Sequence, residues 1–154
     1  MSESEQRARF VAEAKSWLGT PFRDQGDVKG SKGCVDCAML LVRSAVDSGL
    51  LPAFDPRPYP PQWHLHRDEE RFLAIVGRLG KEVDRAAIPG DVIVWRVGRC
   101  FAHGGIVVEN DHVIHAWYRS RAVTISPLHD AELACLQTGR PRPFKLFDLW
   151  AGKV

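Results

Sequence analysis

Residues 89–117 read PGDVIVWRVGRCFAHGGIVVENDHVIHAW. Three short runs rich in Val, Ile and aromatic residues, at 91–97, 104–109 and 113–118, are punctuated by glycines and by the turn-forming Glu109-Asn110-Asp111, the pattern of hairpin-connected strands. Two more such runs, 122–126 and 144–149, make the second half of the chain strand-rich. The first half has a different period. Phe10, Val11, Ala14, Trp17 and Leu18 recur at helical spacing and predict a helix over 5–18, stopped by Gly19 and Pro21. Residues 23–33 are polar and glycine-bearing and predict a loop. Residues 37–48 are apolar on more than one stripe, as in a buried helix, with Gly49 at its end. Residues 52–61 hold five of the ten prolines and predict an ordered connector, followed by a helix over 68–79. Helices that precede a run of hairpins predict an α+β fold, N-terminal helices packed on a C-terminal antiparallel sheet.

A chain of 154 residues is one domain's worth, so 1–154 is expected to form a single domain. Lys and Arg number 21 against 19 Asp and Glu, too even a balance for the phosphate attraction behind most nucleic-acid binding. No apolar run approaches the roughly 20 residues of a membrane-spanning helix. The start, MSESEQRARFVAEAKSW, lacks a basic segment followed by an apolar one, so the sequence predicts no signal peptide and a cytoplasmic site of synthesis. Four cysteines are too few for a disulfide scaffold.

Cys37 follows Asp36 and opens a helix, where unpaired N–H groups and the helix dipole favour a thiolate. A cysteine nucleophile needs a base, and the base needs a third group to fix its tautomer. His103, ahead of the run GGIVV, and His115, in VIHAW, are the candidates, and a hairpin register that pairs them sets the imidazoles side by side. A zinc site is the rival. Cys34 and Cys37 form C-x-x-C, Cys100 and His103 form C-x-x-H, and together they write out four ligands of a zinc-stabilised binding module. Disulfide exchange at Cys34 and Cys37 is a third reading.

The order WLGTPFRDQG, GCVDCAMLLVR, PGDVIVW, AHGGIVV, VIHAW resembles the NlpC-type cysteine peptidases, papain-like bacterial enzymes that cut peptidoglycan stem peptides. The aspartate before the cysteine and the twelve-residue interval between the histidines match as well. The resemblance implies a papain-like fold, Cys37 as nucleophile, His103 as base and His115 as its orienting partner, with no cofactor and a stem peptide as substrate. The stretch YPPQWHLHRDEERFL is similar to a branch carried by phage tails, prophages and gene-transfer particles. That implies phage tail proteins as partners and delivery to the cell wall in a particle. One departure is plain: relatives commonly carry a tyrosine after Thr-Pro that helps stabilise the oxyanion, and this chain has Phe22. The resemblance leaves that role to the Cys37 N–H and Gln25, and allows a catalytically inactive component of the same fold.

Other residues have plainer readings. Asp36 reads as a helix cap. Cys34, Cys100 and Cys135 read as packed thiols. Trp63 is a candidate wall for substrate, beside His64 and His66 in a solvated segment. Trp95 and Trp117, in strands, read as core or cleft lining.

Overall fold

A computed structural model describes residues 1–58 and 71–152. Trp63, His64 and His66 lie outside the described residues. Helix α1 spans Glu3–Lys15 and opens with a capping box, in which the Ser2 hydroxyl accepts from Glu5 N–H and the Glu5 carboxylate accepts from Ser2 N–H. It ends three residues short of the predicted Leu18, in a turn closed by Gly19 at φ 82°. Within the predicted loop lies β1 (Asp27–Val28), which pairs with β2 (Cys34–Val35) just beyond it, each strand two residues long. Helix α2 covers Cys37–Asp47, and α3 covers Arg71–Leu79, its described part shorter than the 68–79 predicted.

Six strands then form one antiparallel sheet in the order β3-β8-β4-β5-β6-β7: β3 (Lys81–Val83), β4 (Val92–Val97), β5 (Cys100–Val108), β6 (His112–Trp117), β7 (Ala122–Pro127) and β8 (Phe144–Asp148). This is the predicted α+β arrangement. Strand β3 and the single turn α4 (Ala131–Ala134) are additions that the sequence reading missed. Both are too short to show a period.

The sheet carries apolar residues on both faces. Val92, Val94, Ile106, Val108 and Ile114 share the main core with Phe10 and Ala14 of α1, Leu40 and Val42 of α2, and Phe72 and Val76 of α3. Ile93, Trp95, Val107, Val113, Leu133 and Leu146 form a second cluster. Leu133 comes from α4, which explains why so short a turn is retained there.

One buried polar network ties the first helix to the last strand. Arg7 donates to Asp91 at 3.0 Å and to Asp148 at 2.8 Å, and Arg85 reaches the other oxygens of both carboxylates at 2.7 and 2.8 Å. Asp91 is fully buried, so its charge needs these partners. The network fixes α1 against the sheet core and thereby the frame on which α2 packs.

Candidate active site

Asp36 builds the start of α2. One carboxylate oxygen accepts from Met39 N–H at 2.8 Å, the cap expected from the sequence, and the other accepts from Gln25 N–H at 2.7 Å. Gln25 sits at φ 63°, a conformation that costs a non-glycine residue energy. The second bond holds it there, and Arg57 donates to the Gln25 carbonyl at 2.9 Å. A single buried carboxylate therefore couples the loop before the hairpin to the helix that carries Cys37.

Cys37 points at β5. Its thiol reaches the Ala102 carbonyl at 3.7 Å, and the Gly104 N–H is directed at the sulfur. The strand has two irregularities here. On the β4 side, Trp95 pairs with His103 and Arg96 with Phe101, which makes Ala102 the extra residue of a β-bulge. On the β6 side, the ladder runs only through Val108↔His112, Val107↔Val113 and Ile106↔Ile114. The sulfur thus meets β5 beyond the point where pairing with β6 has ended, at the two residues that flank His103.

His103 lies within β5, not ahead of a strand, and the hairpin register differs from the one that would set it opposite His115. Asn110 and Asp111 take up the left-handed backbone at φ 61° and 55°, which centres the turn on 109–111 and keeps Val108 in the strand. Continued past Ile106↔Ile114, that register sets Gly105 across from His115. The imidazoles meet on the diagonal instead, with His103 Nε2 2.8 Å from His115 Nδ1 and the rings edge to face at 5.0 Å between centroids. Gly105 makes the diagonal possible: a Cβ there would stand 3.0 Å from His115 Cβ and 2.5 Å from Val113 Cγ2. Trp95 stacks on His103 at 5.8 Å, and Trp117 lies 5.1 Å from His115. The far nitrogen of His115, Nε2, is 3.0 Å from Ser126 Oγ on β7. Sequence reasoning missed Ser126 because a serine on a strand gives no signal until the register is known.

Electrostatics here favours neutral groups. Burial pushes His115 down to about 4, against a small opposing pull from Asp130. Burial, then the neighbouring His115 and Arg142, holds His103 well below the ordinary imidazole value. Burial, and next the Asp36 charge, pushes the Cys37 thiol up, with the Gly104 N–H opposing. These effects run against the thiolate expected from the helix start alone. The helix start supplies N–H groups, but Cys37 is buried beside the Asp36 carboxylate, and both features favour the thiol.

The four residues of the zinc reading do not converge. No group of three or more His, Cys, Asp or Glu among the described residues is placed to hold a metal ion. Cys100 is buried in the main core, and His103 is engaged with His115. The four cysteines are all free thiols, so Cys34 and Cys37 form no disulfide. Phe22 packs partly buried against the main core, its backbone bridged to Val35. No helix among the described residues is long and apolar enough to cross a membrane.

No protein-family model matches the chain, and comparison with curated proteins found no match. Solved structures do match. NlpC1 from Trichomonas vaginalis superposes with a TM-score of 0.62 at 18% identity, over 96% of this chain and 44% of its own. The chain therefore spans less than half the length of that protein. The peptidoglycan hydrolase RipB from Mycobacterium tuberculosis gives 0.55 at 20% identity, over 97% of this chain and 68% of its own. RipD from the same organism, described as a non-catalytic NlpC/p60 domain protein adapted to peptidoglycan binding, gives 0.52 at 15% identity over 93% and 96%. The chain has the papain-like α+β fold of these NlpC/p60 structures.

Proposed function

We propose that the protein is an NlpC-type cysteine endopeptidase that hydrolyses an amide bond in a peptidoglycan stem peptide. The observation that supports it most is the linked pair His103 and His115, at 2.8 Å, on the strand whose Ala102 and Gly104 touch the Cys37 thiol. In this reading Cys37 is the nucleophile, His103 takes its proton and passes it to the leaving amine, and His115 holds His103. Attack forms a thioester and releases the amine; water then attacks the thioester, releasing the acid and restoring the thiol. The reaction needs no metal or organic cofactor. The Cys37 N–H, at the first turn of α2, is the backbone donor for the developing oxyanion. Gln25 and Trp63 are proposed substrate contacts. Phe22 supplies no phenolic donor.

In this reading burial and the Asp36 charge favour the Cys37 thiol, and proton transfer to His103 accompanies attack. The burial of Cys37, with Phe22, favours a second reading: a stem-peptide-binding protein without chemistry. The resemblance of 59–73 to phage-tail relatives supports delivery in a phage-derived particle with tail proteins as partners. The test is incubation of purified peptidoglycan with the native chain and with Cys37→Ala, followed by mass spectrometry of the soluble products. Cleaved stem peptides from the native chain alone support hydrolysis; retention on peptidoglycan with no products supports the binding role.

A further inference from the structure

The hydrogen-bonded chain does not stop at His115. His115 is fully buried, Ser126 is 8 % exposed, and the Ser126 hydroxyl sits 3.0 Å from the His115 nitrogen that faces away from His103. The fold delivers the contact through a second diagonal: β7 pairs Thr124 with His115 and Ser126 with Val113, so Ser126 reaches across one residue pair. Two imidazoles joined through one nitrogen each have only two consistent proton arrangements when both are neutral. If the hydroxyl donates to His115 Nε2, then His115 Nδ1–H donates to His103 Nε2, and the His103 proton is forced onto Nδ1. If the hydroxyl accepts from His115 Nε2–H, then His115 Nδ1 accepts from His103 Nε2–H. Only this second arrangement leaves His103 Nδ1 bare, and Nδ1 makes no hydrogen bond among the described residues.

We propose that Ser126 is a positioning residue that accepts a hydrogen bond from His115 Nε2–H and so selects the tautomer that leaves His103 Nδ1 as the bare, proton-accepting nitrogen. Trp95 and Trp117 restrict how the two rings can turn, so the proton arrangement along the chain is set at its far end by Ser126. The catalytic meaning of the bare nitrogen rests on the peptidase reading. So does the choice of this arrangement over the other, whereas the Ser126–His115 contact does not.

The test is two-bond proton–nitrogen correlation NMR on the full chain labelled with nitrogen-15 histidine, at neutral pH, with His115 assigned from its loss in His115→Gln. The native chain should show His115 as the Nε2–H tautomer with Nδ1 in the unprotonated range. Ser126→Ala should convert it to a tautomer mixture, and Ser126→Thr, which keeps a hydroxyl, should restore the native pattern. Stem-peptide hydrolysis should fall in kcat by about 10- to 100-fold in Ser126→Ala with KM little changed, the range known for losing a partner that orients a metal-ligating imidazole. Native His115 as the Nδ1–H tautomer would overturn the proposal even if Ser126→Ala failed to fold, as would an unchanged pattern in a folded Ser126→Ala. A serine-dependent tautomer in a chain that hydrolyses nothing would sink the peptidase reading and leave the positioning role standing.

Discussion

His103 and His115 are joined at 2.8 Å although the β5–β6 register does not set them opposite each other. The diagonal contact depends on Gly105, which leaves the space between His115 and Val113 empty of a side chain. Gly105→Ala should cost about 1–3 kcal/mol in urea unfolding, the range for overpacking a filled core. It should also separate the imidazoles. A variant as stable as the native chain would show that the space is not needed.

The buried His115 and its half-buried partner His103, both held towards the neutral form, make stability depend on pH. The folded pKa of His115 is depressed from 6.5 to about 4, and His103 is shifted in the same direction. Between those values the unfolded chain binds more protons than the folded one, so stability falls as pH drops from about 6.5 towards 4. His115 alone should contribute roughly 3 kcal/mol to that loss. Urea unfolding at a series of pH values should show the slope in the native chain and a shallower one in His115→Gln. Equal slopes would mean that the imidazole is not held neutral by burial.

Asp36 is both the cap of α2 and a neighbouring negative charge that raises the Cys37 thiol. The two roles separate by substitution. Asp36→Asn keeps an acceptor for the helix and removes the charge, so the Cys37 pKa should move down. Iodoacetamide labelling with peptide mapping should then detect Cys37 modification beginning at lower pH than in the native chain. Asp36→Ala should in addition lose about 1–2 kcal/mol of stability with the cap. An unmoved labelling profile in Asp36→Asn would remove the charge from the account of Cys37.

Arg7 lies 8 % exposed between Asp91 and Asp148. Arg7→Met leaves buried carboxylates with one guanidinium instead of two and should cost about 3–5 kcal/mol by chemical denaturation. A loss below about 1 kcal/mol would place this pair among surface bridges in its effect.

The fold and the meeting of His103 with His115 were legible in the sequence for different reasons. Helices α1 and α2 and strands β4, β6, β7 and β8 have the length and apolar spacing that burial on one or two faces imposes, whereas the first half of β5, Cys100 to His103, was not read as strand. The cap at Asp36 is a local event and was legible too. What escaped depends on contacts between strands. The centring of the hairpin turn on 109–111, the bulge at Ala102 and the reach of Ser126 to His115 arise from pairing and backbone twist, and no residue pattern announces them. The effects that push the Cys37 thiol up escaped for a related reason. The helix start is visible in sequence, whereas burial of the sulfur against β5 exists only once the chain has folded.

As a peptidase, the protein would carry a stem peptide covalently on the Cys37 sulfur. Rapid quenching of the native chain with a synthetic stem peptide, then digestion and mass spectrometry, reads this directly. The expected result is a transient acyl adduct on the peptide that carries Cys37, absent in Cys37→Ala and strongly reduced in His103→Gln. Stem-peptide cleavage that proceeds with no adduct, undiminished in Cys37→Ala, would contradict it.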